Sequence, residues 1–299
     1  MDLINVFSCS EIEDVSLLIK CLLDRIPIVV LSDDEQRIDD IINELADLIP
    51  FRNKLIFLSD FINKIDFMEI SNYEDSDLNI ERNVFLCFPH AIQNAIKNID
   101  TFQSWIFGVL IDKNSYTNYI QVYNELYAKT NYFLKLEIGN TNLKTEIVGR
   151  IFPNFDLKLE KWIYENAINR TEIEIEKMKR IIAKKTKFRK IPQEKKNSIM
   201  NFEIEEKEIK ENIIKKEILN FFNACKRSIN ILHRMQILYD LNIKTNISPR
   251  VLFGTIAYKQ APIERILQFI DNEWSENFMH LLNMQNTSNF SDTFESLWG

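Results

Sequence analysis

Five short apolar runs in the first half of the chain constrain its fold more than any other feature. They are IPIVVL (26–31), KLIFLSD (54–60), NVFLCFP (83–89), WIFGVLID (105–112) and YFLKLEIG (132–139). Strands buried on both faces read as continuous apolar runs, because neither face meets water. Between the runs, apolar side chains return at helical spacing. EIEDVSLLIKCLLD (11–24), residues 34–48, HAIQNAIKNI (90–99) and SYTNYIQVYNELYAKT (115–130) all show it, and in 34–48 the stripe is Ile38, Ile41, Ile42, Leu45 and Leu48. Strands alternating with helices predict a doubly wound α/β domain with a parallel sheet over residues 1–150.

Beyond Leu157 the strand signal fades. LKLEKWIYENAINRTEIEIEKMKRIIAKK (157–185) reads as one long charged helix, and KFRKIPQEKKNSIM (187–200) as a break or connector around Pro192. Helical spacing resumes over 203–241 and again in SPRVLFGTIAYKQAPIERILQFIDNEW (248–274), where Ser248 and Pro249 form a helix start signal. IAYKQAPIERILQFI (256–270) loosely fits a helix-turn-helix period, but Pro262 and the lack of basic residues after it argue against DNA reading there. The expected organisation is an α/β domain at 1–150, a charged helical connector at 151–202, an all-α domain at 203–285 and a polar tail at 286–299.

The junction RIPIVVLSDDEQRIDD (25–40) sits where many α/β proteins hold a phosphate, yet it carries Asp33, Asp34 and Glu35. A phosphate loop needs glycines, so that backbone N–H groups approach the anion, and a lysine that neutralises it. With 5 glycines in 299 residues, the chain has neither that loop nor a dinucleotide fingerprint. The three acids read as a helix cap complementing the macrodipole. A second reading gives them Mg²⁺, with Asp60 and Asp112, each following an apolar strand, converging near the same sheet edge as catalytic carboxylates. His90, His233 and His280 lack metal-ligand spacing, so no metal set and no cofactor are expected. His90, after Pro89 at a strand end, has the best address for a ligand contact, while the helix-borne His233 reads as a core or interface residue.

Cys9, Cys21, Cys87 and Cys225 form no CxxC pair and read as small buried residues in a reducing compartment. Asp2 and Glu11 interrupt any leader-like apolar stretch, and no run approaches the ~20 residues of a membrane span. A cytoplasmic location is therefore expected. The net charge of -7 gives no global attraction to nucleic acid or anionic lipid, so such contact would need a local patch. Lys177 to Lys196 supplies one: ten basic residues against Glu194 alone. Lys184, Lys185, Lys187, Arg189 and Lys190 are its candidates for phosphate contact.

The tail ends SDTFESLW (291–298), with Phe294 three residues before Leu297 and Trp298. One 3₁₀ turn brings these three side chains to one side, suited to a shallow apolar pocket on a partner. The stretch resembles the sliding-clamp-binding peptides of replication proteins, pattern Q-x-x-h-x-x-a-a, with Ser291 in the glutamine place.

In the order of its parts the chain resembles the delta subunit of bacterial-type DNA polymerase III clamp loaders. EIEDVSLLIKCLLDRIPIVVLSDDEQRIDDIINEL (11–45) has that family's helix, strand and acidic turn, LEKWIYENA (159–167) resembles the opening of its second domain, and 203–260 the start of its helical collar. The resemblance implies a P-loop-less, AAA+/RecA-like α/β domain followed by an all-α C-terminal region. It also implies a subunit of a DNA replication assembly that grips a sliding clamp while partner ATPase subunits turn over. Residues 168–200 depart from the family, being basic where a small helical lid with a glycine-bearing turn is expected. On this reading Arg234 and Arg250 are candidates to face a neighbouring subunit. LLDRIPIVVLSDDEQRIDDIINELADLIPF (22–51) also resembles the core of DENN-type regulators of small GTPases, which would make the chain a regulator or scaffold for such a GTPase.

Overall fold

The computed structural model describes residues 3–57, 83–97, 99, 104–111, 116–139, 143–186, 202–241 and 258–281. The chain divides into two compact units, Met1–Ile218 and Leu219–Gly299. In chain order the first unit begins with α1 (Leu3–Ser8), α2 (Ile12–Leu23), β1 (Ile28–Ser32), α3 (Glu35–Asp47), β2 (Asn53–Phe57) and β3 (Asn83–Cys87). A 3₁₀ turn (Pro89–Ala91) then leads into α4 (Ile92–Lys97), β4 (Trp105–Leu110), α5 (Tyr116–Lys129), β5 (Tyr132–Ile138), β6 (Leu143–Gly149) and α6 (Lys158–Thr186). The division between units falls within α7 (Glu203–Asp240); α8 (Ile263–Trp274) and a 3₁₀ turn (Met279–Leu281) follow. Among the described residues no helix is long and apolar enough to cross a membrane.

The six strands run in the order β2-β3-β4-β1-β5-β6. β1 is central, parallel to β4 through Ile28↔Ile106 and to β5 through Ile28↔Leu134. All five residues of β1 and of β3 are buried, as their continuous apolar composition requires.

One expectation needs correction: the sheet is mixed. β6 pairs antiparallel with β5, from Tyr132↔Gly149 to Ile138↔Leu143. Residues 139–142 are too few for the crossover that a parallel neighbour demands, so the chain turns back as a hairpin. The outer edge of β6 is covered by side chains of the N-terminal helical segment. Leu143 N–H donates to Ser10 Oγ at 3.0 Å and Thr145 N–H to Asp14 Oδ1 at 3.1 Å. These bonds occupy amides that would otherwise offer a pairing edge.

Helices pack on both faces. On one, Ile92, Ala95 and Ile96 of α4 and Val122 and Leu126 of α5 join Val29, Leu31, Phe85, Phe107 and Phe133 of the sheet. Trp105 anchors that layer, with ring centroids 5.5 Å from Phe57, 5.0 Å from Phe85 and 5.1 Å from Phe107. On the other face α3 buries Ile38, Ile41, Ile42 and Leu45. Gly108 in β4 admits that helix: a Cβ there would stand 2.5 Å from Ile38 Cγ2 and 2.8 Å from Ile42 Cδ1.

Arg52 fastens the amino-terminal rim of the sheet. It donates from Nη1 to Leu22 O at 2.6 Å and Ser104 Oγ at 3.3 Å, and from Nη2 to Leu23 O at 2.9 Å. The last carbonyls of α2 thus find a cation, which also complements the negative end of that helix. Beside it Lys20 and Asp24 form a buried ion pair at 2.9 Å. α6 docks on this body through Leu159, Ile163, Tyr164 and Ala167, and Tyr164 Oη donates to Phe7 O at 2.6 Å.

In the second unit Phe221 of α7 packs 4.9 Å from Phe269 and 5.7 Å from Tyr258, and Phe222 stacks on Trp274 at 5.4 Å. Arg265 lies over the Phe221 ring at 5.6 Å. The amphipathic α8 buries Ile263, Ile266, Leu267, Phe269 and Ile270.

Gly108→Ala overpacks the contact between α3 and β4 and is expected to cost about 1–3 kcal/mol. Urea denaturation checks this as a lower midpoint at unchanged slope.

Candidate functional site

In open α/β sheets, ligands bind at the carboxyl ends of the strands, where the strand order reverses direction. Here that rim gathers the end of β1, the start of α3, the turn after β3 and the end of β5. β1 stops at Ser32 and α3 begins at Glu35, so Asp33 and Asp34 make the whole connection. Asp34 is the N-cap: its Oδ1 accepts from Gln36 N–H at 3.1 Å and Arg37 N–H at 3.4 Å. Two amides that would face an external anion already hold an internal one. Ser32 is buried, and its carbonyl accepts from Ile111 N–H at 2.8 Å.

Arg37 turns across the rim and donates from Nη2 to Gly139 O at 2.5 Å, joining the first turn of α3 to the end of β5. Asp39 lies two residues further along α3, with Oδ1 buried and without a hydrogen-bond partner among the described residues. Burial and the neighbouring Glu35 and Asp40 carboxylates push its pKa above the ordinary Asp value, against the opposing pull of His90. His90 is exposed and lies parallel to the Phe88 ring, 6.3 Å between centroids. The rim therefore combines carboxylates with a stacked aromatic pair. Among the described residues no group of three or more His, Cys, Asp or Glu side chains is placed to hold a metal ion.

The remaining sequence candidates fall elsewhere. Asp60, Asp112, Arg250, Ser248 and Pro249 lie outside the described residues, as do Lys187, Arg189, Lys190, Phe294, Leu297 and Trp298. Lys184 is exposed near the end of α6, and Lys185 falls within the same helix. Lys177 and Arg180, at the start of the basic stretch, pair with Glu174 at 2.7 Å and Glu176 at 2.9 Å. Arg234 is exposed on α7.

His233 is half exposed, with its Nε2 2.8 Å from Glu276 Oε2. One sequence expectation changes. Cys9 is exposed, whereas Cys21, Cys87 and Cys225 are buried. Burial raises those three thiols, Cys87 to about 12, so they stay protonated and unreactive near neutrality. The contact of Arg37 with Gly139 and the proximity of Asp39 to His90 escaped the sequence reading. Each joins residues far apart in the chain with no local pattern between them.

Comparison with protein-family models, curated proteins and solved structures finds no match to the chain.

Asp39 carries its folded-state penalty only while ionised. Its raised pKa means that the cost is present above the folded-state pKa and vanishes once both folded and unfolded carboxyls are protonated. Asp39→Asn is therefore expected to stabilise the protein at pH 7, with the gain shrinking as pH falls toward the ordinary Asp value of about 3.9. Urea midpoints of both proteins at pH 7, 5 and 4 read this difference.

Proposed function

We propose that the chain is a non-catalytic binding subunit of a DNA replication assembly, similar to a clamp-loader delta subunit. It engages a sliding clamp and partner ATPase subunits. The observation that carries this reading is the sheet order with its β1–α3 junction. β1 is central between β4 and β5, with β2 at the edge, an order unlike the Rossmann and flavodoxin arrangements. A central β1 with β2 at the edge supports the AAA+/RecA-like layout that the resemblance implies. At the place where that layout holds a nucleotide, two residues span the gap and Asp34 occupies the helix amides. A nucleotide fold with its phosphate position filled by its own carboxylate suits a subunit that lends shape and surfaces to ATPase neighbours. The helical unit that follows accords with a collar.

Phe294, Leu297 and Trp298 are the proposed clamp anchor, and Lys184, Lys185, Lys187, Arg189 and Lys190 the proposed phosphate contacts. Replacing the three apolar residues by Ala is expected to reduce affinity for the cognate sliding clamp at least tenfold, measured by surface plasmon resonance. Unchanged affinity would remove the tail from the reading. Faster nucleotide exchange on a small GTPase, independent of the tail, would favour the DENN-type alternative instead.

The basic stretch has a separate test. Log Kd for duplex DNA is expected to vary linearly with log salt, and replacing the five cations by Ala should flatten the slope by about 4–5. A slope already flat in the unaltered protein marks the stretch as a solvated surface.

A further inference from the structure

We infer that Ser275–Leu281 is a strap that lifts from α7 independently of α8. α8 ends at Ser275 in the left-handed region (φ 56°, ψ 32°), where Ser275 N–H donates to Asp271 O at 2.9 Å. A non-glycine residue in that conformation carries a steric cost and marks a bend at which the helix cannot continue. Beyond it the strap closes its backbone bonds locally. Met279 N–H donates to Asn277 Oδ1 at 3.0 Å and Leu281 N–H to Phe278 O at 3.0 Å. The strap thus closes its own turn and is not an extension of α8, to which it is tied by a long, exposed bond from Asn277 Nδ2 to Asp271 Oδ2 at 3.4 Å.

Side chains make its contacts with α7, at His233, Gln236 and Tyr239, which follow one another at about one helical turn. His233 reaches Glu276, and its ring meets Phe278 edge-on at 5.3 Å. In the reverse direction His280 Nε2 lies 2.6 Å from Gln236 Oε1, and its ring is 5.5 Å from Tyr239. Gln236 donates its amide N–H to Asp240 Oδ1 at 2.8 Å, which leaves its oxygen to accept from His280. Each element therefore sends one histidine to the other, and the two contacts act as a paired clasp.

The clasp is exposed: the His233 and Glu276 side chains retain 50% and 35% of their accessible surface, so solvent competes for both. Phe278 and Leu281 are the buried apolar anchors, against five such residues in α8. Fewer buried contacts and exposed polar ones define a segment that opens below the global unfolding free energy. Lifting uncovers Phe278, Leu281 and the α7 face between His233 and Tyr239, giving the helical unit an open and a closed surface.

Amide hydrogen exchange on the full chain tests this. Amides of 276–281 are expected to exchange at least tenfold faster than those of 266–271, after correction for intrinsic rates. His233→Ala combined with His280→Ala should speed the strap a further three- to tenfold while leaving 266–271 unchanged. Exchange of both segments at one rate overturns the inference, as does a variant that leaves the strap unchanged or speeds both equally. If the variant does not fold, the comparison within the unaltered protein decides.

Discussion

The close seating of α3 on β4 governs how the rest of the first unit is arranged. Gly108 removes the side chain that would hold the helix off, and Ile38 and Ile42 fill the space. The connection from β1 must then be short, and Asp33 and Asp34 are all of it. A glycine-rich phosphate loop wraps several residues round its anion between strand and helix, which would require the helix to start farther from the strand. Tight packing and a phosphate loop compete for the same junction, and here packing prevails. Asp34 follows from that outcome, because a helix end left without a loop still has amide donors to satisfy.

The two rims of the sheet are balanced differently. At the amino end Arg52 satisfies the carbonyls of Leu22 and Leu23, and Lys20 closes on Asp24. That rim pairs its charges internally, as buried groups must. At the carboxyl end Asp33 and Glu35 are exposed, Asp39 is raised by burial and by its neighbours, and Arg37 is directed to a backbone carbonyl. The helix dipole offsets part of this crowding near the first turn of α3 and falls away within it. Asp39, beyond the first turn, keeps the strain.

The elements that sequence made legible are those whose burial imposes one period. IPIVVL and NVFLCFP had to be strands sheltered on both sides, and Ile38, Ile41, Ile42 and Leu45 had to form one helix face. β6 was hidden because LKTEIVG is a half-buried edge strand of mixed polarity, and its pairing depends on a short turn and on Ser10 and Asp14 over 130 residues away. The same limit applied at the rim: the acids of α3 form a local cluster that sequence displays. Their relation to His90, and that of Arg37 to Gly139, arises only when the strands are ordered. Gly108 reads as an ordinary residue in an apolar run until α3 is laid across it.

Charge counting along the chain has a comparable blind spot. The window from Lys177 to Lys196 is strongly basic because it opens just after Glu174 and Glu176. On the helix those acids lie one turn before Lys177 and Arg180 and pair with them. Exposed pairs of this kind are weak, yet the local field they leave is nearly neutral, and phosphate attraction depends on that field. Electrostatic capacity therefore shifts along the sequence to Lys184, Lys185, Lys187, Arg189 and Lys190, none of which has an acid among the four residues before it. A phosphate contact in this stretch should consequently depend on those five residues and be indifferent to Lys177 and Arg180.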